Sequence, residues 1–509
     1  FGQDLANTGI AQADLKELLD LFEHASTFGS LIQIPEAFAK KLPDLESKLN
    51  TAVESGDIFA QQSAQELLPL IKQAKLLAKQ YDAVIANPPY MGAKGMNTAL
   101  KDFAKKKFPD SKSDLFAMFI ERGFGWCKDS GFNSMVTMQS WMFLSSYEAM
   151  REKLLSNNSL VSLIQLPYDG KGPTAMGISF GISVSILQKN KINGLIGDFD
   201  CFRYFELTED GIPKHFPSLN ERNVKTKPDE FKKIPGSPIA YWVSGKLINI
   251  FSNELFVRDL APVKQGLATS DNERFLRLWH EPNGDKINFQ CKDINETIGY
   301  EYKWYPHNKG GEFRRWYGNN NYIVNWQNNG EELWDFTSKL KQGSNVRLKS
   351  RNYYFRASAT WSDITSGMTS GRFIPQGFIF DTTGPSIFDD QKYGLYFYVG
   401  LLNTKLCNVL VDLMNPTLHF TLKDANNFPL PLNADIEAIR EVVKKLIYIS
   451  KNDWDSYETS WDFTENPIIR THQPNLEQAF STWEQQNADA VAEMKRLEEE
   501  NNKLFIDAY

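Results

Sequence analysis

The chain is poor in the residues on which metal and thiol chemistry depend: 509 residues include four cysteines and six histidines. Cys127, Cys201, Cys291 and Cys407 lie far apart with no CxxC spacing, which argues against a zinc knuckle or a disulfide framework and leaves buried free thiols. The histidines, among them His215, His280, His307 and His419, lack metal-ligand spacing, so no metal is expected. No apolar run approaches the roughly 20 residues of a bilayer span, and no basic-then-apolar leader opens the chain. A soluble, cytoplasmic protein without membrane contact is the expectation. Positive charge is not in excess either. Lysine and arginine total 56 against 63 acids, a net charge of -7, which excludes a globally basic nucleic-acid binder and confines any such contact to local patches. Internal repeats and low-complexity tracts are absent.

The length implies two or three domains. Leu15, Leu18, Leu19 and Phe22, then Leu67, Leu68, Ile71, Ala74 and Ala78, fall at helical spacing and predict two amphipathic helices with a linker between them. The period then changes. Tyr81 to Ala86 is a short apolar run stopped by Asn87-Pro88-Pro89, the pattern of a buried parallel strand ending in a loop. Further strands are predicted at 133–138, 160–166 and 182–187, with helices at 115–126 and 147–155 between them, so the class is α/β. From about residue 196 the composition turns to Trp, Tyr, Asn and Gly with proline punctuation. The expected organisation is a first α/β domain over 1–195, a connecting segment over 196–256, a second α/β domain over 257–432 and a helical segment over 433–509. In the last segment Phe480, Trp483, Asn487, Ala490, Met494, Leu497, Asn501 and Leu504 alternate at spacings of three and four, a seam that packs on its own domain or on another subunit.

Asn87-Pro88-Pro89-Tyr90 stands at the carboxyl end of a predicted parallel strand, where open α/β sheets place ligands. Two prolines remove two backbone donors, so the loop offers carbonyl oxygens without competing N–H groups. Such a loop suits an exocyclic amine whose lone pair is delocalised into a purine ring. The Asn87 side-chain oxygen and the Pro88 carbonyl would each take one N–H, drawing the nitrogen toward tetrahedral geometry. A base inside a duplex must be flipped out to reach the loop, and Tyr90 is placed to stack on it. The plain alternative is a structural turn.

Residues 81 to 90 resemble motif IV of amino methyltransferases acting on adenine N6, enzymes with a Rossmann-like class I methyltransferase fold. Ser113-Asp114-Leu115-Phe116 with Phe119-Ile120 is similar to the next motif, and Gly131 to Ser140 and Ile182 to Lys189 resemble later core strands. The resemblance implies S-adenosylmethionine as cofactor, with Asn87, Asp114, Phe116 and Ser30 around it, and Phe180 as a second stacking face. Relatives also carry a glycine-rich cofactor turn and a ribose-binding acid, which do not appear here. With the start at Phe1, that absence suggests a partial sheet whose first strands lie upstream, or a degenerate enzyme. Cytosine-C5 chemistry is unlikely, since no cysteine follows a proline.

Glutamine methyltransferases acting on release factors carry the same four residues, so the motif alone does not fix the substrate. Some 300 further residues discriminate. Gly266 to Leu276 and Arg372 to Gly377 resemble target-recognition domains of restriction-modification enzymes, and Trp304 to Gly318 resembles the methyltransferase family of bacterial BREX phage-defence systems. The resemblance implies adenine-N6 methylation of duplex DNA, with other BREX proteins and a phage-encoded inhibitor as further partners. The DNA contacts expected on that reading are Lys105, Lys106, Lys107, Arg274, Arg314, Arg315, Arg351, Arg356 and Arg372. A non-catalytic DNA-recognition subunit of a defence complex is the alternative. A nuclease fusion is disfavoured, because no cluster of acids with lysine suited to metal-dependent cleavage is evident.

Overall fold

The computed structural model describes residues 1–166, 181–209, 213–216, 222–252, 255–363, 368–389, 392–415 and 420–509, and divides into two units, Phe1–Ser244 and Gly245–Tyr509. Phe180 and His419 lie outside the described residues. The division falls inside the segment expected to connect the domains.

Asp57 starts the longest helix of the first unit, Ile58–Ala78, by accepting the Phe59 and Ala60 N–H groups. The helix packs with Gln12–Phe22 and with a third helix, Leu42–Val53, around Leu18, Leu45, Leu49, Leu67 and Ile71. That third helix occupies what was expected to be a linker. Leu42, Leu45 and Leu49 already carry its spacing, and Pro43 fits its first turn.

The helical layer leads into β1 (Tyr81–Ala86), followed by β2 (Cys127–Met138), β3 (Asn158–Leu166), β4 (Ile182–Lys189), β5 (Gly197–Cys201) and β6 (Val224–Thr226). They form one sheet in the order β1-β2-β4-β3-β5-β6. β1 runs parallel to β2, β4 is antiparallel to both β2 and β3, and β5 is parallel to β3. The β1-to-β2 crossover carries the helices Thr98–Lys107 and Leu115–Trp126, as a parallel pair requires. Phe116, Met135, Trp141, Leu160, Leu163, Leu187 and Phe199 form the core. One expectation is corrected: β1 is parallel but not buried. It is the edge strand of this sheet, and Ile85 is 80% exposed.

The second unit holds two four-stranded sheets. One orders β13-β9-β10-β8 (Ile379–Phe380, Trp304–Asn308, Tyr322–Asn325, Leu276–Leu278); the other orders β12-β11-β14-β7 (Arg372–Ile374, Ser358–Thr360, Ser386–Phe388, Val263–Lys264). Leu267, Tyr305, Trp326, Phe355, Ile379, Phe380 and Phe388 fill the core. The helices Leu395–Leu402, Lys405–Met414, Ile436–Trp454 and Leu476–Ala508 belong to the same unit. The last of them buries Leu497, Asn501 and Phe505, with Asn501 Nδ2 donating to the Gly400 carbonyl at 3.1 Å, so the carboxyl part of the seam packs on its own domain. Among the described residues no single helix is long and apolar enough to cross a membrane.

Candidate active site

The loop after β1 is held from below. Asp114 caps the helix Leu115–Trp126, its Oδ1 accepting the Phe116 N–H at 3.3 Å, and the same oxygen accepts the Met91 N–H at 2.9 Å. The Leu115 N–H returns a bond to the Met91 carbonyl at 3.1 Å. One carboxylate therefore ties the end of the Asn-Pro-Pro-Tyr loop to the start of the helix Leu115–Trp126. Asp114 is buried; its desolvation raises the carboxyl pKa against the lowering effect of the Met91, Phe116 and Leu115 N–H groups.

Above that clamp Asn87 and Pro89 are exposed, Pro88 is buried and Tyr90 is half-buried. The Tyr90 ring meets Phe116 edge-on at 6.2 Å between centroids, and Phe116 meets Tyr147 at 5.7 Å. Tyr90 Oη donates toward Asn87 Oδ1 at 2.9 Å and the Val136 carbonyl at 3.1 Å. A phenol has one proton, so it is shared between two acceptors, and Asn87 Oδ1 retains a free lone pair. Burial raises the Tyr90 pKa, which keeps the hydroxyl protonated as a donor.

The carboxyl ends of β2 and β3 and the start of β4 add groups that sequence reasoning did not find. Gln165 Nε2 donates to Gln139 Oε1 at 2.7 Å, and Tyr241 Oη donates to Gln165 Oε1 at 2.8 Å. Gly181 makes room for them, since a Cβ there would lie 2.3 Å from Gln139 Cδ. Trp141 Nε1 bonds Thr137 Oγ1 and Ser183 Oγ at 3.1 and 3.0 Å.

Two buried guanidiniums fix the surrounding backbone. Arg151 donates to the Trp141, Leu144 and Gly236 carbonyls at 2.8, 2.7 and 2.7 Å. Arg122 donates to the Ser30, Ile32 and Leu77 carbonyls at 3.3, 2.8 and 3.1 Å. Desolvation lowers both to about 10. The available signal was positional: Arg151 shares a helix face with Leu154 and Leu155, where a cation must find acceptors.

Of the residues expected around the cofactor, Asn87 and Ser30 are exposed, whereas Asp114 and Phe116 are covered. Ser30 enters the network through its carbonyl. Among the described residues no group of three or more His, Cys, Asp or Glu is placed to hold a metal ion.

The expected DNA contacts divide. Lys105, Lys106 and Lys107 are exposed in the last turn of Thr98–Lys107, and Lys105 lies 3.3 Å from Asp102. Arg274 pairs with Glu332 at 2.9 Å, Arg314 with Asp453 at 2.7 Å and Arg315 with Glu498 at 3.0 Å. The last two hold the Arg314-Arg315 turn to the carboxyl-terminal helices. Arg351 donates to Asn329 Oδ1 at 2.8 Å and lies over Trp334 at 5.0 Å, while Arg356 is exposed. Arg372 is a correction. It is fully buried, because strand alternation on β12 turns Arg372 and Ile374 inward and leaves Phe373 half-buried, so it offers no surface to DNA. Among the described residues its guanidinium has no hydrogen-bond partner, and burial lowers its pKa to about 10.

Residues 6–171, which include the parallel β1–β2 pair and the Asn-Pro-Pro-Tyr loop at its carboxyl end, match the family described as Eco57I restriction-modification methylase. The chain is 40% identical to the adenine-specific methyltransferase BrxX of Escherichia coli O9:H4 (strain HS) over 95% of this chain and 38% of that protein. To the adenine-specific methyltransferase PglX of Lacticaseibacillus casei (strain Zhang) it is 35% identical, over 98% of this chain and 42% of the relative. It thus spans about two fifths of the length of these curated relatives. Its fold is similar to the Type IIL restriction-modification enzyme MmeI in complex with DNA, with a TM-score of 0.51 at 13% identity, covering 97% of this chain and 74% of MmeI.

Proposed function

We propose that this chain carries the base-presenting loop and the sequence-reading domain of an adenine-N6 DNA methyltransferase. One observation carries the reading: Asn87 is exposed at the carboxyl end of a parallel strand with its amide oxygen oriented by Tyr90 Oη at 2.9 Å. An adenine amine entering there meets two acceptors, Asn87 Oδ1 and the Pro88 carbonyl. As the amine attacks, charge builds on nitrogen, and both bonds strengthen toward the transition state. Asp114 and Phe116 contribute by holding the loop that sets this geometry. A cofactor of the S-adenosylmethionine type supplies the methyl group in this class of reaction; Asn87 and Ser30 are the residues of the expected set whose exposed positions would let them face it.

The partner on this reading is duplex DNA with one base flipped out, and the setting is a phage-defence system of the BREX type, in keeping with the names of the relatives. Base-resolution methylation mapping in cells carrying the parent protein or its Asn87→Ala variant tests the proposal. The variant is expected to lose about 100-fold or more in methylation rate, the scale of removing one preorganised transition-state partner. Methylation at the parental level in the variant would remove Asn87 from the mechanism.

A further inference from the structure

In the second unit Arg274, Arg314 and Arg315 are each held by a carboxylate. Lys264, Arg347, Lys349 and Arg356 are not: among the described residues none of the four forms an ion pair. They also lie together. Lys264 Nζ is 5.3 Å and Arg356 Cζ 5.2 Å from the centroid of the Tyr353 ring, so two cations share one half-buried phenol ring.

The remaining pair lies on a segment joined to the one that carries Lys264. Lys349 Nζ donates to Gln265 Oε1 at 3.0 Å, next in sequence to Lys264, and the Ala268 N–H donates to the Arg347 carbonyl at 2.7 Å. Leu267 and Leu348 form a β-bridge between the two segments. Lys264 lies on β7, the edge strand of its sheet. Like charges on neighbouring segments, in no ion pair among the described residues, raise the local potential, and a polyanion is a ligand that relieves it.

We infer that Lys264 and Arg356, at the Tyr353 ring, with Arg347 and Lys349 on the adjoining segment, form a surface that binds the phosphate backbone of duplex DNA. This rests on the reading of DNA as substrate, and moves the backbone-binding surface away from the carboxylate-paired arginines. The Tyr353 ring holds two of the cations by their attraction to its face, and Gln265 orients a third.

Binding of a fluorescent duplex of about 25 base pairs, followed by anisotropy between roughly 50 and 200 mM salt, tests the assignment. Removing one cation that neutralises a phosphate lowers the slope of log affinity against log salt by about 0.9. The variant combining Lys264→Gln, Arg347→Gln, Lys349→Gln and Arg356→Gln is expected to lose about 3 to 4 from that slope and at least about 10-fold in affinity at the lower salt. Arg314→Gln is expected to leave the slope unchanged. Should the combined variant fail to fold, Lys349→Gln and Arg356→Gln singly, both at exposed positions, are each expected to lower the slope by about 0.9. Parental slope and affinity in the folded variants overturn the surface but leave the DNA reading standing. A parent protein that does not bind duplex at low salt overturns both.

Discussion

Tyr90 Oη donates a hydrogen bond to Asn87 Oδ1 at 2.9 Å, so the ring expected to stack on a flipped base also orients the amide that would receive its amine. The two roles separate on substitution. Tyr90→Phe keeps the ring and removes the donor, leaving the Asn87 amide free to rotate. Methyl transfer is expected to slow by about 5- to 10-fold, the scale of one hydrogen bond of about 1 kcal/mol. Single-turnover methylation in the methylation-competent protein reads this, with 2-aminopurine fluorescence as the separate readout of flipping, expected unchanged. Equal rates in parent and variant would remove the hydroxyl from the mechanism.

Asp114 offers a test of the clamp beneath the loop. Asp114→Asn retains an oxygen for the Met91 and Phe116 N–H groups, whereas Asp114→Ala strands both and is expected to cost about 1 kcal/mol in denaturant unfolding. The carboxyl pKa is raised in the fold by burial, so the folded state holds its proton to higher pH than the unfolded chain. The contribution of this group to stability therefore falls as pH rises from the unfolded value through the folded one. Asp114→Asn should abolish that part of the pH dependence; an identical profile in the variant would contradict the shift.

In the second unit Asp381 titrates in the opposite sense. Burial raises its pKa, but the adjacent His307 ring and the Thr383 bonds outweigh burial and lower the carboxyl from 3.8 to about 2. His307 Nε2 lies 3.4 Å from Asp381 Oδ2, and the Thr383 N–H and Oγ1 donate at 2.7 and 2.8 Å. The ionised form is favoured in the fold, so its stabilisation is present above the unfolded pKa and lost as pH falls through about 2. About 2 kcal/mol should disappear across that window in acid unfolding of the parent. The same loss in Asp381→Asn would show that another group is responsible.

Gly266 and Gly284 should respond differently to the same change. A Cβ on Gly266 would sit 1.8 Å from the Phe380 carbonyl oxygen, backbone that cannot step aside, whereas nothing lies within 4 Å of one on Gly284. Gly266→Ala is expected to destabilise by about 3 kcal/mol or more, and Gly284→Ala to be neutral or stabilising by a few tenths. Thermal unfolding of the two variants decides it, and equal melting temperatures would refute the close approach.

The class of fold was legible because periodicity and loop chemistry act locally. The run Tyr81–Ala86, stopped by two prolines, is β1 residue for residue, and the helix predicted at 115–126 is Leu115–Trp126. The leucine spacing of Leu42–Val53 is legible in the sequence too. The seam from Phe480 to Leu504 is a single stripe by spacing, yet burial reaches only its carboxyl part at Leu497 and Asn501, while Phe480 is 45% exposed. What covers each end depends on which helices lie beside it, and spacing carries no record of that.

The chain by itself determined the acceptor loop, the α/β alternation and the absence of a metal-ligand pattern, because each depends on neighbours within a few residues. Tertiary structure decided what every cation does. Arg122 and Arg151 bind carbonyls, Arg314 and Arg315 bind carboxylates, Arg372 is buried with no hydrogen-bond partner among the described residues, and Lys264 and Arg356 meet at a single ring although the two are far apart in sequence. A charged side chain takes its role from whatever the fold brings within a few ångströms. Those partners lie on distant stretches of chain, where no local pattern records them.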